Sequence, residues 1–331
     1  MMSGRATVIC GECREVMGGM DAGSINTCVT SPPYWGLRDY GTDPVQWPEV
    51  SFSPMPGLPE ITIPAMECSL GLEKDPWAYI GHLVLIFRGV NRVLRDDGTL
   101  WLNLGDTYAG YWGKNYAHKP FGKDRTPDET TLPHKESLDF KNSPIKPKDL
   151  CGIPWRVAFA LQADGWYLRQ DIIWAKPNPM PESVTDRCTK AHEYIFLLSK
   201  NKKYYYDHKA IREESVEPVR KREKGNGESA VDTKKRGFNC NCGNSGMRNK
   251  RDVWTITTKP FKAAHFATFP PDLIKPCVLA GCPEGGTVLD IFGGAATTGI
   301  VAIENNRNAV LIELNPAYVQ IANTRITGAY L

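Results

Sequence analysis

Residues 30–36 read TSPPYWG, and they follow INTCV at residues 25–29, an apolar run that predicts a buried strand. Proline cannot continue a central strand, and two prolines in succession fix the backbone of the segment that contains them. The strand therefore ends here, and Ser31 together with the aromatic pair Tyr34 and Trp35 is held in one shape at its tip. A rigid tip of this kind is either an ordinary strand-ending turn or a functional loop.

Strand-like and helical segments alternate on both sides of this tip. Apolar residues recur at helical spacing after each of two prolines, Pro76 and Pro154, and short runs of strand character lie between the helical segments. Strands that alternate with helices favour a largely parallel sheet covered by helices on both faces. The strands are expected at residues 7–9, 24–30, 99–104, 166–174, 193–198, 287–291 and 309–313, and the later helices at 273–279, 297–305 and 316–326.

Composition excludes few classes of protein. The chain has 331 residues and a formal net charge of +3, which by itself favours neither a nucleic-acid nor a membrane partner. The apolar runs are too short to span a bilayer, and the N-terminal sequence MMSGRATVIC lacks the apolar core of a secretion signal. We therefore expect a cytoplasmic protein.

The ten cysteines are expected to be reduced, with Cys10, Cys28 and Cys277 buried in apolar surroundings. Two close pairs suggest zinc, the first being Cys10-x-x-Cys13 and the second Cys240-x-Cys242. Structural zinc sites need two well-spaced pairs of ligands, and no matching pair with histidine follows the first one. No metal is expected.

Three long segments interrupt the alternating pattern, at residues 36–75, 106–149 and 208–251. Irregular loops of this length are uncommon in compact domains unless they are functional or disordered. The second segment carries Lys114, Lys119, Lys123, Arg125, Lys146 and Lys148, and the third carries the runs RKR at 220–222 and KKR at 234–236. The pattern indicates a scaffold that presents large recognition loops, and a solvated charged loop is the competing interpretation.

A second motif, residues 288–299 (VLDIFGGAATTG), predicts a strand, a turn of small residues and a helix. Small residues allow a ligand to approach the backbone, and the free N–H groups of the helix start attract negative charge. About twenty residues later the next strand ends with Glu313, and an acid at this place can accept both hydroxyls of a ribose. The motif is neither GxGxxG nor a P-loop, so the ligand need not be a phosphate. The alternative is a tight turn followed by a solvated glutamate.

Together, TSPPYW and the D-x-F-x-G…TTG turn resemble the DNA methyltransferases that modify the exocyclic amines of cytosine N4 or adenine N6. The SPPY motif precedes the cofactor turn, which is the order of the permuted β class. Further matches are HFATFP at residues 265–270, similar to HPAxFP beside the methionine end of the cofactor, and Gly11-Glu12-Cys13, similar to a GDC element whose acid meets the adenine ring. The resemblance implies S-adenosylmethionine as cofactor. It also implies a Rossmann-like α/β fold with a mostly parallel seven-stranded sheet, one strand antiparallel, and helices on both faces.

The cofactor turn departs from the usual DPFxGSGTT in two places. Ile291 replaces proline, and Ala295-Ala296 replaces Ser-Gly. Alanine leaves room for a ligand, but Ala296 cannot adopt a positive φ as cheaply as glycine. We expect the site to bind the cofactor, with a local geometry that differs from that of the usual turn.

By this resemblance, the catalytic residues are Ser31, Pro32, Pro33 and Tyr34. Hydrogen bonds from the target amine to Ser31 and to the Pro32 carbonyl would turn its lone pair out of conjugation with the ring. Tyr34 would stack on the base and face the sulfonium methyl group. No covalent intermediate is needed, and much of the rate should come from positioning the two reactants. His192-Glu193 suggests acid–base work, but a hydrogen-bonded structural pair is the favoured interpretation, because direct transfer demands no strong base.

The resemblance assigns two further sets of residues. The cofactor set is Glu12, Thr30, His265, Phe269, Asp290, Phe292, Gly293, Gly294, Thr297, Thr298 and Glu313. The set for the flipped base and DNA is Trp35, Lys176, Asn178 and Arg236, and packing beneath the loop is an equally good interpretation for Trp35.

For domains, the resemblance implies a catalytic methyltransferase domain at 1–207 and 252–331, a target-recognition insert at 208–251 and a DNA-binding loop at 106–149. The substrate is expected to be double-stranded DNA at a nucleoid. Serine in SPPY and the following Trp35 favour cytosine N4, and adenine N6 is the alternative. An RNA or protein-amide methyltransferase and a non-catalytic DNA-binding relative are the remaining candidates. A homodimer and a separately acting cognate restriction endonuclease are further partners that the family allows.

Overall fold

The computed structural model describes residues 4–37, 40–109, 145–215, 246–258 and 269–330. Eight strands of these ranges form the main sheet: β1 (Ala6–Cys10), β2 (Ile25–Thr30), β7 (Leu94–Leu104), β8 (Tyr167–Ala175), β9 (His192–Ser199), β12 (Val253–Thr255), β13 (Thr287–Asp290) and β14 (Asn308–Glu313). Six helices accompany them: α1 (Cys13–Gly18), α2 (Pro76–Val93), α3 (Ile153–Ala163), α4 (Pro271–Gly281), α5 (Thr297–Glu304) and α6 (Pro316–Ala329).

The strand order is β1-β14-β13-β2-β7-β9-β8-β12. All neighbouring pairs are parallel except the two that involve β9, which runs antiparallel to both β7 and β8. The prediction of a mostly parallel sheet with one antiparallel strand is confirmed. The expected number of seven strands is corrected to eight, because the short strand β12 continues the sheet beyond β8 through the pair Trp254 and Trp174.

The two faces of the sheet carry separate hydrophobic clusters, as expected for helices on both sides. Side chains alternate along each central strand: Cys28 packs with α1, α2 and α3 on one face, and Val29 packs with α4, α5 and α6 on the other. Leu100 and Trp101 divide in the same way on β7. Since consecutive side chains of a strand point to opposite faces, an apolar strand such as β2 is buried from both sides.

The first long segment is more ordered than the sequence suggests. Its four strands, β3 (Val45–Trp47), β4 (Val50–Phe52), β5 (Ile61–Ile63) and β6 (Met66–Cys68), form two small antiparallel sheets, β3 with β6 and β4 with β5. Trp47 and Phe52 are buried in the cluster that contains α2. The expectation of an irregular recognition loop at 36–75 is therefore wrong for these residues. The sequence pattern does not reveal these strands, because each strand is only three residues long and the segment is rich in Pro and Gly.

In each of the other two long segments, the described residues near the two ends are hydrogen-bonded to each other. Thr107 and Ala109 exchange backbone hydrogen bonds with Asp149 and Cys151, so the described ends of segment 106–149 lie side by side at the carboxyl end of β7. In segment 208–251, β10 (Glu213–Glu214) pairs with β11 (Met247–Arg248). The DNA-binding and target-recognition roles of these segments stay predictions, because residues 110–144 and 216–245 lie outside the described ranges.

Two smaller expectations change. Cys28 and Cys277 are buried as predicted, but Cys10 is exposed at the end of β1. Strand β7 begins at Leu94 and not at the expected residue 99, and its pairing with β2 shifts register between Ile25 and Thr27. Within the described ranges, no helix combines the length and apolar character required to cross a bilayer.

Candidate active site

The two motifs meet at the centre of the sheet. Strands β13 and β2 are parallel neighbours, and the chain continues from β13 towards one edge and from β2 towards the other. Ligands of open α/β sheets bind in the crevice outside the carboxyl ends of the strands at such a switch point. The Thr30 hydroxyl at the end of β2 donates to Asp290 Oδ1 at the end of β13, at 2.7 Å, and ties the two motifs together.

Asp290 is an internal anchor of this junction. Its side chain is 1% exposed, and besides Thr30 it accepts hydrogen bonds from the Thr298 hydroxyl at 2.6 Å and from the Phe292 backbone N–H at 3.1 Å. Burial raises the pKa of the Asp290 carboxyl to about 6, although the hydrogen bonds act in the opposite direction. Thr30, Asp290 and Thr298 are thus engaged with one another, and they support the turn from beneath. Their assignment as cofactor contacts stays a prediction.

The raised pKa of Asp290 predicts a specific pH dependence of stability. A carboxyl whose folded pKa lies above its unfolded value stabilises the fold fully below the unfolded pKa of 3.8, and this contribution is lost as the pH rises through about 6. Asp290→Asn keeps the shape and does not titrate. We expect the free energy of unfolding of wild type minus that of D290N to fall by about 2 kcal/mol between pH 4 and 6 and to become constant above about pH 7.

The measurement is urea unfolding of both proteins across this pH range, with the transitions fitted to two states. Other titrating groups are shared by the two proteins, so their contributions cancel in the difference. A difference that is flat or that rises from pH 4 to 6 would contradict the assignment.

The turn after β13 presents open backbone towards the crevice. Gly294 has a φ of +47°, and a Cβ built on it would meet nothing closer than the Phe292 carbonyl oxygen at 3.9 Å. Gly293 packs on β14, since a Cβ there would lie 3.0 Å from the Leu311 Cβ. Ala296 adopts a φ of +63°, the strained conformation anticipated for it, and its methyl group is fully buried. The conformational cost of about 1 kcal/mol and the gain from burying one methyl are of similar size, so alanine is tolerated here.

Two acids lie at the next strand ends. Glu313 ends β14 and accepts the Gly294 N–H and the Asn315 N–H, each at 2.8 Å, while burial raises the pKa of its carboxyl. Glu12 follows β1, which pairs with β14 up to Cys10 and Glu313. Glu12 also caps α1 by accepting from the Arg14 and Glu15 N–H groups. A small-residue turn with an open side and two neighbouring carboxylates fits a ligand that carries an adenosine.

The catalytic-motif side of the crevice is organised around Tyr34. Its hydroxyl donates to Glu193 Oε2 at 2.7 Å and accepts from the Ser31 hydroxyl at 3.4 Å. Glu193 Oε1 pairs with the Lys176 ammonium, and Glu193 Oε2 also accepts from Asn103 Nδ2 at 3.2 Å. Burial and the neighbouring Glu193 carboxylate raise the pKa of the Tyr34 hydroxyl well above its usual range. Tyr34 is therefore a neutral donor at physiological pH.

One edge of the Tyr34 ring rests on a glycine. A Cβ at Gly105 would lie 2.5 Å from Cε2 and 2.9 Å from Cδ2 of Tyr34. Gly105 follows β7, so the close approach is set by the pairing of β7 with β2. The glycine lets the ring lie in one place with its hydroxyl on Glu193.

A buried network holds the loop of residues 31–36 from below. Trp35 is 2% exposed, and its indole N–H donates to the Glu73 carbonyl at 2.9 Å. The Glu73 carboxylate accepts the Gly71 N–H and pairs with His82 Nδ1, both at 2.8 Å. The Tyr79 hydroxyl donates to the Pro33 carbonyl at 2.8 Å. This placement supports the packing interpretation of Trp35.

Among the described residues, potential metal ligands cluster at Cys68, Glu73 and His82, whose donor atoms lie within 4.8 Å of one another. Both carboxylate oxygens of Glu73 are already engaged in the network below the loop. Burial raises the pKa of the Cys68 thiol to about 12, which disfavours the thiolate that a metal requires. The cluster fits a structural role better than a metal centre.

The remaining predicted residues are distributed as follows. Thr297 is buried at the start of α5, and Phe269 is partly buried before α4. Asn178 is exposed, and its side chain bonds the backbone N–H and carbonyl of Thr258. His265 and Arg236 lie outside the described residues.

Sequence reasoning missed the importance of Glu193, Asn103 and Gly105. Glu193 was considered only together with His192, as an acid–base pair or as a structural pair, and the structure brings the His192 ring to Tyr194. Asp106 was also missed: it accepts the N–H groups of Gly152 and Ile153 and so holds the start of α3. The available signal was a polar residue, Glu193, at the start of a predicted strand. It was missed because only an antiparallel strand, such as β9, has its first residues at the active-site edge.

Comparison with known proteins agrees with this geometry. The family described as DNA methylase matches residues 25–324. The type II methyltransferase M.Cfr9I of Citrobacter freundii is 44% identical over 325 residues, covering 98% of this chain and 88% of that protein.

Two solved structures share the fold. One is the cytosine-N4-specific PvuII DNA methyltransferase (TM-score 0.58, 17% identity, 99% of this chain and 92% of that chain). The other is a putative DNA modification methylase of Thermus thermophilus solved with S-adenosyl-L-methionine (TM-score 0.55, 21% identity, 98% and 94%). The chain therefore belongs to the family of S-adenosylmethionine-dependent DNA methylases that modify the exocyclic amines of cytosine N4 or adenine N6.

Proposed function

We propose that the protein methylates N4 of a cytosine flipped out of double-stranded DNA at a specific sequence. The observation that carries this proposal is the arrangement of Ser31 and Tyr34 at the end of β2, directly beside the Asp290 turn at the end of β13. An amine held at Ser31 would lie next to a cofactor held at that turn. Serine in SPPY and the following Trp35 support cytosine, and the fold neighbour PvuII is named as cytosine-N4-specific.

The cofactor half of the crevice would hold S-adenosylmethionine. When bound, it supplies an electrophilic methyl group on a sulfonium. The Glu313 carboxylate would accept the ribose hydroxyls, and the backbone of Gly293 and Gly294 would approach the ligand closely. Glu12, at the end of the neighbouring strand, would meet the adenine, and Phe292 is partly exposed beside the turn.

The catalytic loop would prepare the amine for attack. An exocyclic amine shares its lone pair with the ring, so it is a poor nucleophile. Hydrogen bonds from its two N–H groups to Ser31 Oγ and to the Pro32 carbonyl would rotate the lone pair out of the ring plane. The loop can supply these acceptors in fixed positions, because prolines restrict its backbone and the Tyr79 and Glu73 contacts brace it.

Tyr34 would hold the base by stacking. Its hydroxyl and one ring edge are fixed by Glu193 and Gly105, and aromatic stacking on a base is worth about 1–3 kcal/mol. A target amine is inaccessible inside a duplex, so the base must leave the helix to reach this ring. Lys176 lies at the same edge of the sheet and would face the base or its phosphate.

The test is incubation of the purified protein with diverse genomic duplex DNAs and methyl-labelled S-adenosylmethionine, followed by digestion to nucleosides and mass spectrometry. Labelled N4-methylcytosine is the expected product. Labelled N6-methyladenine would show that the target base is adenine and not cytosine, and it would leave the rest of the proposal intact. Absence of label in DNA together with label in RNA or protein would overturn the substrate class.

Double-stranded DNA is the partner that the proposal requires. A homodimer is a further proposal, and so is a separately acting restriction endonuclease, which is supported by the type II methyltransferase among the relatives. Sedimentation of the purified protein at micromolar concentration tests the first of these.

A further inference from the structure

Methylation of an amine releases a proton, and this proton needs a route out of the site. When the nitrogen attacks, the N–CH₃ bond forms and the C–S bond breaks with its electron pair passing to sulfur. The nitrogen then carries a positive charge until one N–H bond breaks. In the proposed function, on which this inference rests, that N–H points at Ser31 Oγ.

A chain of hydrogen bonds leads away from Ser31. The Ser31 hydroxyl donates to the Tyr34 hydroxyl at 3.4 Å, and the Tyr34 hydroxyl donates to Glu193 Oε2 at 2.7 Å. Every donor in this chain points away from the position of the amine. Each hydroxyl can therefore accept one proton while it passes on its own, so neither serine nor tyrosine has to become charged.

The chain of hydrogen bonds ends at a carboxylate, that of Glu193. This carboxylate also pairs with the Lys176 ammonium and accepts from Asn103 Nδ2. The side chain of Glu193 is 15% exposed and that of Lys176 is 18% exposed, so a proton that arrives there can pass on to water.

We propose that Glu193 is the terminal proton acceptor of the methylation reaction, reached from the target amine through the hydroxyls of Ser31 and Tyr34. One proton leaves the nitrogen for Ser31, the serine proton moves to Tyr34, and the tyrosine proton moves to Glu193. The products are the methylated amine, neutral serine and tyrosine, and a protonated Glu193. Tyr34 thus has two functions, stacking through its ring and proton transfer through its hydroxyl.

The test compares Glu193→Gln and Glu193→Ala with wild type in single-turnover methyl transfer, with saturating DNA and labelled cofactor. Glutamine can accept the Tyr34 hydrogen bond but cannot take the proton, so a purely supporting role predicts a rate near wild type for E193Q. The relay predicts a loss of about 10²–10⁴-fold for both variants. Calorimetric binding of S-adenosylmethionine, expected to be unchanged, shows that each variant is folded.

Chemical rescue of E193A separates proton transfer from support. Acetate and fluoroacetate have nearly the same size, but fluoroacetate is the weaker base. We expect added acetate to restore more of the rate than the same concentration of fluoroacetate, with sodium chloride as the ionic-strength control. Equal rescue by the two anions, or wild-type rates in E193Q, would overturn the relay while leaving methylation by wild type intact. Failure of wild type to methylate any DNA would instead overturn the proposed function and the relay with it.

Discussion

Tyr34→Ala is expected to reduce the single-turnover rate of methyl transfer below about 1% of wild type, while the affinity for duplex DNA changes little. The ring is the proposed stacking surface for the base, and its loss removes about 1–3 kcal/mol of stacking together with the alignment of the amine. Alignment is the larger effect, because a displacement of about 1 Å can cost about 10²-fold in rate.

The measurement combines quenched single-turnover assays with a duplex-binding titration at fixed salt. Tyr167→Ala is a matched control, since Tyr167 is half-exposed at the start of β8, the opposite end of the strand from the active-site edge. Tyr34→Phe should retain the ring and lose the hydroxyl contacts to Glu193 and Ser31, so the proton relay predicts that its methyl-transfer rate falls as in E193Q. If Y34A lost duplex binding together with activity, Tyr34 would be a general DNA contact and its proposed role would be misassigned.

Gly105→Ala is the second change with a large expected effect. Its new Cβ would lie 2.5 Å from Tyr34 Cε2, a distance that real contacts do not reach, so the ring must move away. Because the ring position fixes the hydroxyl on Glu193, we expect the methyl-transfer rate to fall by about 10²-fold. The strain should also lower the free energy of unfolding by about 1–3 kcal/mol.

A double mutant tests the cause of this effect. In Tyr34→Ala/Gly105→Ala the ring is absent, so the second substitution should cost almost no further stability, and the two changes should be strongly non-additive. Gly328→Ala is the control, because nothing lies within 4 Å of a Cβ at that helical position. Additive losses of stability in the double mutant would show that Gly105 is required for another reason.

Several elements of this fold could be predicted from the sequence because their signals are local. Helix α2 begins at Pro76, and its apolar side chains recur along one long helical face. Strand β2 ends before the two prolines, as expected from their missing N–H groups and fixed φ. The turn after Asp290 was recognised from small residues between an apolar strand and a helix. The family resemblance singled out Ala296 as a residue at a glycine position, and it adopts a φ of +63°.

Other features depend on contacts between distant residues, and no local pattern reveals them. The strands of segment 36–75 are stabilised by packing on α2 and not by their own length. The sequence did not decide whether Trp35 packs beneath the loop or contacts the base. Its N–H donates to the carbonyl of Glu73, which lies 38 residues away in the chain. Gly105 and Tyr34 come into contact only because β7 pairs with β2.

The sequence by itself determined the fold class and the order of the two motifs, since the alternation of strands and helices and the two turns follow from backbone preferences and periodicity within short stretches. The proposed roles of the loop at residues 31–36 came from the family resemblance. Only the tertiary structure decided what those residues touch. Asp290 became an internal anchor because β13 lies beside β2, and Glu193 became the partner of Tyr34 because β9 runs antiparallel and brings its first residues to the active-site edge. Strand order and direction set these contacts, and they depend on the packing of the whole chain.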